Sequence, residues 1–206
     1  MDVALPPDLS IDAVRTPRLV LAPAVPDDLD AVHAWFSDPR TCEHVPAVRH
    51  TDPEQTRSLI ERQVQGRERE GLASWVVRLR EDVPERGLRA GEAVGWGGAS
   101  PCPFEAWNLG YRLDPRAWGM GVATEVSWAA LAAARSVRPG RPVTGRVLAH
   151  NPASVAVLRK VGMAVRWEGD AWGTAPGAEL TRGVRRMVLA DRPLDSVTLD
   201  ALVALG

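Results

Sequence analysis

Along this chain the spacing of apolar positions switches between a period of two and a period of 3.6, and the switches divide it into elements. Residues 18–21, Arg18-Leu19-Val20-Leu21, predict a first short strand. Pro26-Asp27-Asp28 then opens an amphipathic helix that gathers Leu29, Val32, Trp35 and Phe36 on one face and ends near Ser37-Asp38-Pro39. Residues 41–51 have no period and read as a loop. A second helix follows, with Thr51 as N-cap, Pro53 in its first turn and Asp52 and Glu54 near the positive end of its dipole, continuing through Leu59, Ile60 and Val64 to about Glu68. In residues 73–80, Trp75, Val77 and Leu79 alternate with Ser74, Val76 and Arg78, which is strand patterning. A long hairpin connection over 81–91 leads to a glycine-rich strand over 93–99, which Pro101-Cys102-Pro103 is expected to break.

The second half reads differently. A strand over 109–113 feeds a glycine turn, and a helix over 119–138 places Val122, Val126, Ala129, Ala130 and Ala133 along one stripe before Pro139-Gly140 stops it. Val143, Gly145 and Val147 alternate in the next strand. Asn151 caps a short helix with Pro152 at its first position and Gly162 just past its end. Residues 163–167 and 184–189 read as two final strands joined through Trp172-Gly173-Thr174, and 194–205 as a terminal helix or tail. Antiparallel strands followed by a strand-helix-strand unit predict an α+β (mixed α/β) class rather than a doubly wound sheet. One domain over 16–190 is expected, between an extended arm over 1–15 and a C-terminal tail or short helix over 191–206.

Composition narrows the partners. A net charge of −1 over 206 residues, with both signs interspersed, gives no basic footprint for nucleic acid. A small molecule or a protein terminus is the expected partner. Two cysteines are too few for a disulfide framework, and Met1-Asp2-Val3-Ala4-Leu5-Pro6 lacks the basic and apolar regions of a leader, so a cytoplasmic location is expected. The longest apolar run, over 126–134, is too short to span a bilayer, and no membrane association is expected. Eight tryptophans stand beside one tyrosine and two phenylalanines; most are expected to pack in the core, a minority to line a pocket.

The candidate chemistry lies in Asn108-Leu-Gly-Tyr-Arg-Leu-Asp-Pro-Arg-Ala-Trp-Gly-Met-Gly-Val-Ala-Thr-Glu125. Bare N–H groups at Gly119, Gly121 and their neighbours, aimed from a helix start, suit a pyrophosphate. A dinucleotide fingerprint is excluded because Thr124 stands where its third glycine belongs, and no Gly-Lys-Ser/Thr accompanies the turn.

Residues 16–189 resemble the GNAT N-acetyltransferases, most closely the RimJ and RimL branch. The resemblance rests on Thr16-Pro17-Arg18-Leu19, Ser37-Asp38-Pro39, Val94-Gly95-Trp96, Leu109-Gly110-Tyr111 with Asp114-Pro115, Trp118 through Glu125, and Asn151-x-x-Ser154 with Leu158-x-Lys160-Val161-Gly162. It implies a mostly antiparallel twisted sheet with a splayed parallel strand pair and flanking helices. It further implies acetyl-CoA as cosubstrate with no metal, a small-molecule amine or protein N-terminus as acceptor, and compatibility with a homodimer. The phosphate loop falls on Trp118, Gly119, Met120, Gly121, Val122, Ala123 and Thr124, with Trp118 where the family usually has Gln or Arg. Leu113 supplies a backbone contact to the pantetheine arm, Asn151 and Ser154 face the coenzyme sulfur with Ser154 as the acid, and Lys160 and Arg116 are candidates for the phosphates. Where the family often carries a carboxylate this chain has Asn108, which leaves Glu105 or water as base. Trp35, Trp75, Trp96 and Trp107, with the 41–51 loop, are the expected acceptor lining. A non-catalytic acyl-CoA-binding or regulatory module is the alternative. Cys42, Glu43, His44 and His50 fit no standard zinc spacing, so no metal is expected.

Overall fold

Alternation in the strands puts apolar side chains on both faces of a sheet, and a sheet so built needs a cover on each side. The computed structural model, which describes residues 13–170 and 183–205, supplies both. One eight-stranded sheet runs in the order β1-β2-β3-β4-β5-β6-β8-β7. Its strands are β1 (Val14–Arg15), β2 (Leu19–Ala22), β3 (Trp75–Leu79), β4 (Ala93–Cys102), β5 (Ala106–Leu113), β6 (Val143–Leu148), β7 (Ala164–Gly169) and β8 (Arg186–Ala190). Every neighbouring pair is antiparallel except β5 with β6. On one face, α3 (Val122–Val137) and α4 (Pro152–Lys160) cover a core that includes Leu21, Val77, Trp107, Leu109 and Val126. On the other, α1 (Leu29–Ser37) and α2 (Pro53–Glu70) bury Val32, Trp35 and Ile60 against Val76 and Trp96. No helix among the described residues is long and apolar enough to cross a membrane.

Several boundaries differ from the sequence expectation. Val14–Arg15 pairs with β2, so the described end of the arm belongs to the sheet. At the other end, α5 (Ser196–Ala204) packs Leu202 against Cys102, Ala106 and Val188, making the tail part of the core. Asp52, not Thr51, caps α2: its carboxylate accepts from Glu54 N–H at 2.9 Å while the Gln55 amide oxygen accepts from the N–H groups of both Thr51 and Asp52. Helix α3 begins at Val122 rather than 119 because Gly119 and Gly121 hold φ of +78° and +79°, outside any right-handed helix. The connection through Trp172-Gly173-Thr174 lies outside the described residues.

Strand β4 runs through Pro101 instead of breaking there, and the register explains it. Asp114 N–H donates to the Val94 carbonyl at 2.9 Å, which marks Leu113–Gly95 as a non-hydrogen-bonded pair and, counting back by twos, Trp107–Pro101 as another. The missing N–H of Pro101 therefore points away from β5, and β3 has already ended, opposite Gly97. No ladder bond is lost.

The same counting turns the backbone groups of Tyr111 and Leu113 toward β6. Yet β5 and β6 pair only at Trp107–Val143 and Asn108–Thr144 before parting. A wedge-shaped gap opens between them.

Below that gap, the N-terminal strands are tied to α3 through Glu125. Its carboxylate accepts from Thr16 Oγ1 (2.5 Å), Arg18 N–H (2.9 Å) and Arg18 Nε (2.7 Å), while Arg18 Nη1 donates to the Met120 carbonyl at 2.6 Å. Burial pushes the Glu125 pKa up, but the Thr16 and Arg18 hydrogen bonds outweigh it and hold the carboxyl below its ordinary 4.5. A carboxyl so lowered contributes stability above pH 4.5, which is lost as pH falls through its lower folded-state value. Because Arg18 is half-exposed, replacing Glu125→Gln is expected to cost about 1–2 kcal/mol at pH 7. Urea unfolding is expected to show that difference shrinking below pH 4.5.

Candidate functional site

The turn between β5 and α3 is fixed from both sides. Asp114 Oδ1 accepts from Arg116 N–H at 2.8 Å and so caps the short turn Pro115–Ala117. Burial works against the Asp114 charge, but the Arg116 hydrogen bonds and charge, joined by the Trp35 indole, outweigh it and hold the carboxyl below the usual range. Trp118 Nε1 then donates to the Leu113 carbonyl at 3.1 Å, folding the indole back over the end of β5. After the two left-handed glycines, the N–H groups of Val122, Ala123 and Thr124 meet no acceptor among the described residues. Three bare donors at the positive end of a 16-residue helix favour negative charge in front of them.

A cavity of about 450 Å³ starts at this cradle, with Trp118, Gly119, Gly121, Val122, Ala123 and Thr124 in its wall, and passes Leu113 and Tyr111 to Ser154 and Val157 of α4. A second, of about 230 Å³, continues through the gap between β5 and β6, past Leu109, Gly110 and Val147, to Cys42, Val45 and Val48 in the α1–α2 connection. Thr41, His44, Tyr111, Arg112, Asn151 and Ser154 line both. The two cavities meet at those residues.

At the junction, Asn151 caps α4 by accepting from Ser154 N–H at 3.1 Å, which fixes the serine on the cavity wall. The Tyr111 hydroxyl is buried and makes no well-formed hydrogen bond among the described residues; it faces the Ser154 side chain. Burial raises the Tyr111 pKa, and Ser154 pulls it partly back. Sequence reading used Tyr111 only as part of a motif. Strand alternation places its side chain on the α3 and α4 face, and that was the available signal. Thr16 and Arg18 were likewise quoted without a role, though both hold Glu125 at the first turn of α3.

On the opposite face of β5, the Arg112 guanidinium lies over the Phe36 ring, 4.2 Å from its centroid. His50 packs against the same ring at 4.8 Å and shares a 2.8 Å hydrogen bond with Thr56 Oγ1. Burial lowers the His50 pKa, and the Arg112 charge lowers it further. His44 and His150 meet at 5.3 Å beside the junction. Cys42 is buried with its thiol on the Phe36 carbonyl, which also accepts the His50 backbone N–H at 2.9 Å.

Other expected site residues lie elsewhere. Glu105 sits in the β4–β5 hairpin turn with φ +54°, its side chain 88% exposed and paired with Arg141 at 2.6 Å. From there to Tyr111 at the junction is six residues, about 20 Å at ~3.3 Å per residue, which places Glu105 away from the junction. Trp75 and Trp107 are buried in the α3 core and Trp35 and Trp96 in the α1–α2 layer, and none lines either cavity. Their area was better used in packing: Trp107 is fully buried beneath the Arg141 guanidinium, and Trp35 supports Asp114. Lys160 is exposed at the end of α4 and lines neither cavity. Arg116 is held by Asp114 and Glu92.

Comparison with known proteins agrees with this arrangement. No curated protein sequence matches the chain. Among solved structures it is similar to an acetyltransferase from Agrobacterium tumefaciens (TM-score 0.68, 22% identity, covering 90% of this chain and 97% of that one). It is similar to RimL, the ribosomal L7/L12 alpha-N-protein acetyltransferase, in complex with coenzyme A (TM-score 0.64, 20% identity, 90% and 99%). A third similar structure, from Salmonella typhimurium, is an acetyl transferase that modifies the N-terminal serine of 50S ribosomal protein L7/L12 (TM-score 0.61, 19% identity, 87% and 97%). The family model for the acetyltransferase (GNAT) domain matches residues 18–164, most of the chain. The chain therefore belongs to the GNAT acetyltransferase family, whose reaction is acetyl transfer to an amine.

Proposed function

We propose that this acetyltransferase takes its acetyl group from acetyl-CoA and passes it directly to a primary amine, of a small molecule or a protein N-terminus, within a ternary complex. The observation that carries this reading is one cavity that joins three bare N–H groups of α3, the unpaired edge of β5 and the Ser154 hydroxyl. The similarity to RimL with coenzyme A bound supports the donor.

Each part has a physical task. Val122, Ala123 and Thr124 receive the pyrophosphate by N–H donation, and Gly121 lets it approach where a side chain would intrude. Tyr111 and Leu113 offer backbone groups to the amides of the pantetheine arm, in the manner of an added strand. Because Trp118 occupies the Leu113 carbonyl, Leu113 contributes its N–H. A thioester supplies the activated acyl carbon. As the amine nitrogen attacks that carbon, an N–H on the β5 edge holds the developing oxyanion, and preorganised donors there lower the barrier most. When the C–S bond breaks, Ser154 gives its proton to the sulfur and regains one from water as the product leaves; the Tyr111 hydroxyl faces it and helps to place it. No carboxylate lines the inner cavity, so the amine loses its proton to water.

Release of free thiol from acetyl-CoA, followed against amines and N-terminal peptides, is expected to give turnover with at least one acceptor class. Tight coenzyme binding with no turnover across the panel would favour the non-catalytic module. Ser154→Ala is expected to lower kcat by about 100-fold with coenzyme Kd within about twofold, and unchanged turnover removes Ser154 as the acid. Gly121→Val puts a branched side chain at φ +79°, its Cβ 3.3 Å from Arg18 Nη2. The left-handed backbone alone costs about 1–2 kcal/mol, so coenzyme Kd by calorimetry is expected to rise about tenfold or more. Normal affinity in that variant contradicts the cradle.

A further inference from the structure

Arg112 is a charge without a counter-charge. Its Nη1 is sealed from solvent with no hydrogen-bond partner, and its guanidinium makes no ion pair with any described carboxylate. Its guanidinium lies over the Phe36 ring, with Cys42 and His50 near enough to feel its charge. Burial works against the charged form, yet an arginine does not give up its proton inside a protein, so the charge stays. A cation–π contact offsets only part of what removal from water costs an ion. A partner arriving with substrate accounts for that deficit.

The surroundings say what kind of partner. Arg112 lines both cavities where they meet, on the face covered by α1 and α2. The inner cavity also has Arg146 and His44 in its wall and no Asp or Glu among its lining residues; the outer one has Glu43, with Arg40 beside Arg112. Arg146 has interactions of its own, which leaves Arg112 as the group open to a ligand. A polyamine or a simple alkylammonium ion is repelled by such a wall. An amine that brings its own negative group is drawn in, and the Arg112 guanidinium, in the wall of both cavities, is the donor that suits a carboxylate. Size adds a limit: about 230 Å³ is roughly eight water volumes at ~30 Å³ each, suited to a small molecule.

We infer that the acceptor is a small primary amine bearing a carboxylate, which Arg112 receives while the amine faces the thioester beside Ser154. This rests on the acetyl-transfer reading above and names its substrate class. It also accounts for the absent base: a positive wall disfavours the ammonium form of the bound acceptor, so the neutral amine is released to water without a carboxylate to take its proton.

Matched pairs test it in the unaltered protein: tyrosine against tyramine, tryptophan against tryptamine, glutamate against spermidine, with peptides beginning in Asp, Ser or Ala as a separate arm. Thiol release is expected to give a kcat/KM at least tenfold higher for the free amino acids than for their carboxylate-free counterparts. Arg112→Gln is expected to raise KM for those amino acids tenfold or more with a much smaller change in kcat, while coenzyme Kd moves less than twofold. Arg112→Lys is expected to recover part of the loss. Equal or better use of tyramine, tryptamine or spermidine overturns the inference, as does an Arg112→Gln effect that is equal for both members of each pair. Preference for the Asp peptide over all free amino acids overturns the small-molecule assignment. If no amine turns over, acetyl transfer itself fails, and calorimetry on the coenzyme-loaded protein still decides the acceptor. Tenfold tighter binding of the amino acids, lost in Arg112→Gln, supports the carboxylate site; equal binding or none removes it.

Discussion

The structure turns on the early parting of β5 from β6. Two strands that pair at only two positions leave backbone donors and acceptors facing each other across a gap, and buried main-chain groups do not stay unpaired without cost. An edge kept open inside a sheet is a site for something that completes it. Everything near it serves to keep it open and in place. Glycines in β4 let β5 and α3 close in from below: a side chain at Gly97 would stand 2.9 Å from Tyr111 Cβ and 3.0 Å from Val126 Cγ1. With α3 seated that close, its N-terminus points at the mouth of the gap. The anion cradle and the open edge are thus one geometric event.

Holding such a gap rigid needs polar clamps, because apolar packing alone is non-directional. Two clamps do this. Asp114, gripped by Arg116 and Trp35, fixes the exit of β5; Glu125, gripped by Thr16 and Arg18, fixes the start of α3. Arg18 also reaches the Met120 carbonyl, inside the turn itself. Both carboxylates titrate below their ordinary values for the same reason, hydrogen bonds that favour the charged form against burial. The donors of the cradle are therefore set in position before any ligand arrives, which is what electrostatic catalysis requires.

Most elements and the turn before α3 were legible in the sequence because each has a local signature: a period, a cap, or a pair of glycines before a helix. What was not legible depends on tertiary facts. Alternation says that Trp75 and Trp107 share a face with their neighbours, but not whether that face is core or cavity; the α3 stripe of alanines covered it and made them core. Glu105 stands three residues from Asn108 in sequence, yet the hairpin turns it outward and strand length carries it away from the junction. Pro101 reads as a break because its pairing phase is set elsewhere, by the bond between Asp114 and Val94 at the far end of the hairpin. Alternation alone puts Tyr111 and Arg112 on opposite faces of their strand, but only the early parting of β5 from β6 shows that an opening lies beside both.

That opposition divides the site into halves of different physical character. The donor half is made largely of main-chain N–H and C=O groups, which nearly any sequence can supply once its glycines and clamps are kept. The acceptor half is made of side chains, Arg112 over Phe36 with His50 behind, held on a separate layer by α1 and α2. Substitutions in that layer change the charge and shape of the inner cavity without touching the cradle. A chain can therefore keep this fold at 19–22% identity to proteins of the same shape while its acceptor pocket takes on a different chemistry. Here the inner wall holds Arg112, Arg146 and His44 and no carboxylate. With the acceptor class inferred above, such a field would take the place of a base by making the protonated amine the disfavoured guest.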